Sequence, residues 1–374
     1  MKRPSRLVTA LTVAAAALAL ASCAPPKDDN SSSPDAQNTG ASSGQPAEAY
    51  LADLVKKAED EGELNVIALP PDWANYGNVI AAFEDKYDIK VNSDQPDTDS
   101  QTEIDTAKRL AGKDRAPDVF DLGQAVALAN TDMFAPYQVQ TWDEIPAEFK
   151  DPDGLWVNDY GGYMSVGYDS AKVPDVTSLD DLLGSDYKGA VALNGDPTTA
   201  GAAFSGVMMA AIANGGSADD IAPGVDYFSQ LKDAGNFLPV DPSSATIESG
   251  QTPVVVDWDY LNAAETAKLP TWKVLVPDDA VVAGYYFQAV NKEAPHPNAA
   301  RLWEEFLYSD EGQNLWLQGG ARPVRADAMV KAGTIDNDAY KALPTVSGEP
   351  VIVTDEQTAN AAEYLSSNWA KATG

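Results

Sequence analysis

The sequence predicts a two-lobed α/β protein. Three observations carry that reading: strand-like and helix-like segments alternate along most of the chain, the series begins afresh near Tyr163, and no tandem repeat is present. Leu51, Leu54, Val55 and Ala58 recur at helical spacing, and Gly62 ends that helix. Residues 64–69 read as a buried strand, 78–87 as a helix, 89–91 as a short strand. Ile104, Ala107 and Ala111 mark a helix, 119–122 a strand, and a helix follows from Gln124. In the second series 164–168 and 190–193 are strands, 199–213 an apolar helix, and Val225, Phe228 and Leu231 share one face of the next. A Val-rich strand (253–257), a helix around Leu261, strands at 272–276 and 281–290, and helices at 299–308 and 311–317 complete the order. One large sheet is the alternative on pattern alone.

The N-terminus reads as an export signal. Lys2, Arg3 and Arg6 precede an apolar run, residues 7–21, which is too short to anchor as a span. The run ends in Leu20-Ala21-Ser22-Cys23, which resembles the lipobox of bacterial lipoproteins, with cleavage before Cys23 and lipid on its thiol. Cys23 is the chain's one cysteine. Residues 1–22 are therefore expected to be a signal peptide. Residues 23–47, rich in Ser, Asn, Asp, Gly and Pro, are expected to form a disordered tether with a reach of ~25–30 Å. Removing 1–22 takes away three of 25 Lys and Arg and none of 57 Asp and Glu, leaving 22 against 57, a net charge of −35.

That charge argues against nucleic acid as a partner. With Cys23 lipidated no disulfide can form, and one histidine rules out a Cys/His zinc site. His296, in Ala294-Pro295-His296-Pro297, is expected to face solvent or cap the helix that follows. Glycosidase chemistry needs only carboxylates, but Asp257 and Asp259 would point the same way on a strand and offer no opposing face for a sugar. No enzyme, cofactor or metal centre is expected.

Three stretches resemble the extracellular solute-binding proteins that serve importers of polyamines, ferric iron and related small solutes. They are Asp186-Tyr187-Lys188-Gly189-Ala190-Val191, then Pro295-His296-Pro297-Asn298-Ala299-Ala300 with Phe306-Leu307-Tyr308-Ser309-Asp310-Glu311-Gly312-Gln313, then Gly319-Gly320-Ala321-Arg322-Pro323-Val324. The resemblance implies a periplasmic-binding-protein-like clamp of the class with two crossover strands. It implies a cleft ligand, closure about a hinge, and an ABC permease as membrane partner. Residues 48–160 with 284–335 are assigned to lobe 1, and 161–283 with 336–374 to lobe 2. A lipid-anchored monomer on the extracytoplasmic face is expected.

Ligand contacts are expected from loops at the carboxyl ends of strands. That rule selects Asp72, Trp73 and Tyr76 after the first strand, Asp97 to Ser100 after the second, Asp121 after the third, and Thr198 or Thr199 at the start of an apolar helix. Either threonine would otherwise serve as a helix N-cap. Asp257, Trp258, Asp259 and Tyr260 end the Val-rich strand and form the sharpest cluster. Two carboxylates and two rings suit an ammonium group, by ion pairing and by cation–π attraction of ~0.5–2 kcal/mol. The cluster resembles the Trp and Asp of polyamine-binding relatives; its plainer reading makes Trp258 and Tyr260 core residues and one Asp a cap. Iron-binding relatives carry adjacent tyrosines here, a pattern broken in this chain, and Tyr285-Tyr286 fall later. An anionic or zwitterionic solute, held by Arg322 or Arg325, is the third option. With ordinary carboxylates, affinity for a cation would be flat from about pH 6 to 8.

Cys23→Ala is expected to release the protein from membranes and leave the folded body intact. Fractionation in which the variant stays firmly membrane-bound would count against lipid anchoring.

Overall fold

The computed structural model describes residues 47–344 and 346–374. The expected signal segment, Cys23 and nearly all of the tether lie outside the described residues. The chain opens with helix α1 (Ala47–Glu61), strand β1 (Glu63–Ile67), helix α2 (Tyr76–Tyr87), strand β2 (Lys90–Asp94), helix α3 (Ser100–Leu110), strand β3 (Val119–Leu122), helix α4 (Gln124–Ala129) and the two-residue β4 (Phe134–Ala135). The long strand β5 (Val157–Asp169) leads into the second lobe, built from β6 (Val191–Leu193), α5 (Gly201–Ala213), α6 (Ala222–Ala234), α7 (Ser244–Ser249), β7 (Val254–Trp258), α8 (Asp259–Glu265) and β8 (Trp272–Leu275). Strand β9 (Val282–Asn291) returns to the first lobe. It is followed by α9 (Pro297–Leu307), α10 (Asp310–Gln318), β10 (Arg322–Pro323), α11 (Ala326–Ala332), α12 (Asn337–Ala342), β11 (Val351–Ile352) and α13 (Asp355–Thr373).

Two strands belong to both lobes. The first half of β5 pairs antiparallel with β9, from Val157 opposite Gln288 to Tyr163 opposite Ala283, with an irregularity between Asn158 and Gly161. Its second half pairs antiparallel with β7 and β8. The far half of β9 pairs with β3, and its near end with β11. The backbones approach closely where β5 changes partners. A Cβ on Gly161 would fall 2.2 Å from the Gly284 carbonyl oxygen, and one on Gly162 2.4 Å from Asp259 Oδ1. Only glycine fits such spacing.

The cores follow the apolar periodicity. In the first lobe Phe83 of α2 meets Trp303 and Phe306 of α9, with ring centroids 5.1 and 5.7 Å apart. In the second, α5 is apolar all round and buried between the sheet and α6, as expected of a helix with no solvent face.

Several expectations change. β1 ends at Ile67, because Ala68 takes a left-handed backbone (φ 58°). α5 starts at Gly201 with Ala200 before it; neither Thr198 nor Thr199 caps it, and Asp196 Oδ1 holds the Thr198 N–H at 2.8 Å instead. His296 neither faces solvent nor caps α9 with its side chain. It is buried, with its N–H donating to Asp118 Oδ1 at 2.7 Å and its Nδ1 2.9 Å from Asp118 Oδ2. The assignment of 336–374 to lobe 2 also divides. Leu317 of α10 clusters with Met329, Ile335 and Leu343, which keeps α11 and α12 on the first lobe. Trp369 of α13 packs on Phe228 and Phe237 of the second lobe, with centroids 5.4 and 6.4 Å apart.

Candidate functional site

A cleft of about 720 Å³ lies between the lobes, in the size range of small-molecule sites. Its first-lobe wall comes from the loops after β1 and β2, the first turns of α3 and the end of β3. Its second-lobe wall comes from the end of β6, the start of α5, residues 241–244, β7 and α8. The lining is acidic. Asp72, Asp97, Asp99, Glu103 and Asp121 come from the first lobe, and Asp196, Asp241, Asp257 and Glu265 from the second; Lys268 is the single basic side chain among them.

Asp121 is the best-prepared of these carboxylates. It sits in β3 opposite Gln288 of β9. Its Oδ2 accepts from the Tyr76 hydroxyl at 2.6 Å and the Tyr160 hydroxyl at 3.1 Å. Its Oδ1 is buried, has no partner among the described residues, and belongs to the cleft lining. The support continues behind it: Gln288 Nε2 donates to the Tyr76 hydroxyl and to Asp159 Oδ2, both at 3.0 Å. Burial pushes the Asp121 carboxyl up to about 7 against the two tyrosine hydrogen bonds. Glu103, which accepts from the Asp121 N–H at 3.3 Å, is also pushed up, first by burial and then by the Asp121 charge.

Asp257 is its counterpart in the second lobe. Asn194 Nδ2 donates to its Oδ2 and the Trp258 N–H to its Oδ1, both at 2.8 Å. Burial raises this carboxyl to about 7 against those two hydrogen bonds. Farther along α8, Glu265 bonds Ser244 through one oxygen and leaves Oε2 buried without a described partner. Lys268 Nζ lies 3.2 Å from Glu265 Oε1 and 2.6 Å from Ser244 Oγ, so its charge is already matched.

An aromatic wall closes the hinge side. Trp73 meets Tyr286 edge-to-face at 5.7 Å, and its indole N–H donates to the Tyr160 hydroxyl at 2.9 Å. The loop that carries Trp73 is held by left-handed residues Ala74 and Asn75 and by the Asn75 amide, which donates to the Leu315 carbonyl at 2.7 Å.

Of the residues selected from sequence, Asp72, Trp73, Asp97, Thr98, Asp99, Ser100, Asp121, Thr199 and Asp257 line the cleft. Tyr76 is fully buried beneath it and acts on Asp121. Thr198 lines a separate pocket of about 40 Å³ beside α4 and α5. Trp258, Asp259 and Tyr260 do not line the cleft. The strand ends at Trp258 and a helix begins at Asp259, so the strand alternation that would align Asp257 with Asp259 stops between them. The Asp259 carboxylate instead pairs with Arg322 at 2.6 Å and accepts from the Tyr163 N–H at 2.9 Å. Trp258 and Tyr260 are 3% and 1% exposed and stacked, with centroids 6.4 Å apart. Arg325 is bound to Glu144 and Asp310, so neither arginine serves the cleft.

Sequence reasoning missed Glu103, Asp241 and Glu265. Glu103 could have been found, since it lies one turn inside a helix whose start, Asp99-Ser100, was already placed at the site. Glu265 follows only from where α8 points. Among the described residues no group of three or more His, Cys, Asp or Glu is arranged to hold a metal ion. Tyr285 and Tyr286 part company: Tyr285 packs on Phe149 at 4.5 Å, and Tyr286 turns to the cleft, its hydroxyl accepting from the Trp258 indole at 3.4 Å.

The sequence profile of one family, described as bacterial extracellular solute-binding protein, matches residues 117–345. No curated protein matches. Many solved structures share the fold. A periplasmic binding protein, AgtB from A. tumefaciens R10 in complex with agropinic acid, superposes with TM-score 0.67 at 14% identity, covering 83% of this chain and 98% of that one. A putative spermidine/putrescine ABC transporter protein from Listeria monocytogenes gives 0.64 at 11% identity, over 83% and 98%. Iron-bound HitA from Pseudomonas aeruginosa gives 0.63 at 20% identity, over 83% and 99%. These likenesses establish the two-lobed fold.

The burial of Trp258 and Asp259 has a measurable consequence. Trp258→Ala should cost the empty protein ~3–5 kcal/mol of unfolding free energy, as for a core tryptophan. Asp259→Ala should cost a similar ~3–5 kcal/mol, because it leaves Arg322 without its charge partner. Urea denaturation checks both; a loss below about 1 kcal/mol in either variant would remove that residue from the structural core.

Proposed function

The chain belongs to the family of bacterial extracellular solute-binding proteins, and from that premise we propose that it captures a small organic cation of the amine type for its ABC permease. The observation that carries the reading is the charge of the cleft. Nine carboxylates face one lysine, and that lysine is already paired. The unpartnered Asp121 Oδ1 is a buried acceptor waiting for a donor. A buried acceptor left unmade costs about 1–3 kcal/mol, which an ammonium N–H would recover. Asp121 from one lobe and Asp257 from the other would grip the charge, while Trp73 and Tyr286 supply ring surface for its carbon skeleton. Solved structures of this fold are named for agropinic acid, spermidine/putrescine and iron, so the choice among them rests on the cleft. In the same reading the mature protein is a monomer held to the membrane through lipid on Cys23.

Spermidine and putrescine are the probes. Asp121→Asn and Asp257→Asn should each weaken binding by about 10- to 150-fold, the value of a charge-assisted hydrogen bond of ~1.5–3 kcal/mol. Titration calorimetry of the purified protein reads this directly. Failure of every amine tested to bind, or unchanged affinity in both variants, would sink the cation reading.

The pH dependence follows from the raised carboxyls. Both Asp121 and Asp257 are held near 7 in the empty cleft, and an ammonium binds their ionised forms. Affinity should therefore be full above about pH 8 and fall as the pH drops through 7 toward 6, with protons released on binding. The flat profile expected of ordinary carboxylates does not apply. Binding that strengthens on acidification would indicate an anionic solute.

A further inference from the structure

Besides the crossover strands and the Arg322–Asp259 ion pair, the lobes touch where two glycines meet. Gly123 precedes α4 in the first lobe, and Gly201 is the first residue of α5 in the second. A Cβ on Gly123 would lie 2.9 Å from Gly201 Cα and 3.2 Å from its nitrogen; a Cβ on Gly201 would lie 2.9 Å from Gly123 Cα. Real Cβ atoms do not approach backbone so closely, and backbone at a helix start cannot swing aside as a side chain can. Neither glycine is required by its conformation. Gly123 has φ −64°, and Gly201 is not among the residues with positive φ. Space is the one demand that glycine alone meets at these two positions.

The contact is braced on both sides. Ser100 Oγ accepts from the Gly123 N–H at 3.0 Å and ties the turn to α3. The next residue, Gln124, donates from Nε2 to the Val353 carbonyl at 3.0 Å and lies 3.4 Å from Asp355 Oδ1. That segment opens α13, which Trp369 fastens to the second lobe. The β3–α4 turn therefore supplies two links across the cleft, and neither involves a solute. The same turn carries Asp121, two residues before Gly123.

We propose that Gly123 and Gly201 form the closing contact of the clamp, and that residue size at these positions sets the closed fraction and hence the affinity. A site whose competent state is only partly populated binds more weakly by that fraction. Gly201 belongs to the cleft lining and Gly123 does not, so residue size at Gly123 would tune capture from outside the cleft. The inference requires solute binding by lobe closure and is independent of the solute's charge.

Small-angle scattering of the empty full-length chain in the Cys23→Ala background tests it. The wild-type sequence at 123 and 201 should give the smallest radius of gyration of the set. Gly201→Ala should raise it and Gly201→Val should raise it further, with the thermal midpoint moving by no more than a few degrees. Gln124→Ala, which adds no bulk, should also raise it. Spermidine affinity should fall in the same order, by at least about tenfold for Gly201→Val. If folded Gly201→Val scatters as the parent does, the proposal is overturned. If Gly201→Val does not fold, Gln124→Ala decides, and an unchanged radius there overturns the proposal too. Absence of spermidine binding in the parent would remove the cation reading and leave the scattering comparison intact.

Discussion

The antiparallel pairing of β5 with β9 is the constraint on which the rest depends. Each strand gives one end to each lobe. Their register places Gly161 opposite Tyr285 and Gly162 opposite Gly284, and Tyr160 and Tyr286 come together between the lobes. Tyr160 and Tyr286 stack at 5.5 Å with planes 12° apart. From this patch the support runs outward, through Tyr160 and Tyr76 to Asp121 in the first lobe and through Trp258 toward Asp257 in the second.

Burial and charge oppose each other in this cleft. A carboxylate loses hydration when buried and becomes reluctant to ionise, and a neighbouring carboxylate adds to the reluctance. Asp121 and Asp257 both respond by moving to about 7, and Glu103 and Asp159 behind them also rise. Carboxyls raised in this way take up a proton at neutral pH more readily than ordinary aspartates. Two states relieve the strain, a proton on each acid or a bound cation, and they compete for the same oxygens. Hydrogen bonds from Tyr76, Tyr160 and Asn194 hold the acids in place and favour the ionised form, which keeps the cation competitive with the proton.

The element order was legible because apolar periodicity survives in nearly every buried segment. The strands at 119–122 and the Val-rich 254–258, and the helices around Phe83 and Trp303, were found by their core-facing residues. The rule that sites form at carboxyl ends of strands selects Asp72, Trp73, Asp97, Asp99, Asp121 and Asp257, all of which line the cleft. It erred at Asp259 by a single residue: strand gives way to helix after Trp258, and the side chain turns from the cleft to Arg322. Composition cannot show that change, since the partner stands 63 positions away. His296 was misread for the same reason. Its environment is made by Asp118, and a proline on each side says nothing about what packs against it. Glu265 and Asp241 reach the cleft through the course of α8 and α7, a tertiary fact with no local sign.

Closing such a cleft has an electrostatic cost that the glycine contact helps offset. As the lobes approach, four second-lobe carboxylates come toward five from the first. In a medium of effective dielectric near 20, like charges about 8 Å apart repel by roughly 2 kcal/mol a pair. Closure then draws on contacts that do not depend on charge. The meeting of Gly123 with Gly201 and the Gln124 link to Val353 are of that kind: uncharged, short-range and available only at full closure. Burial raises the Asp121 carboxyl, and a cation between Asp121 and Asp257 would hold both ionised while drawing the lobes toward it. Charge and contact thus act on the same turn, residues 121 to 124, and it is there that occupancy of the cleft and the position of the lobes are joined.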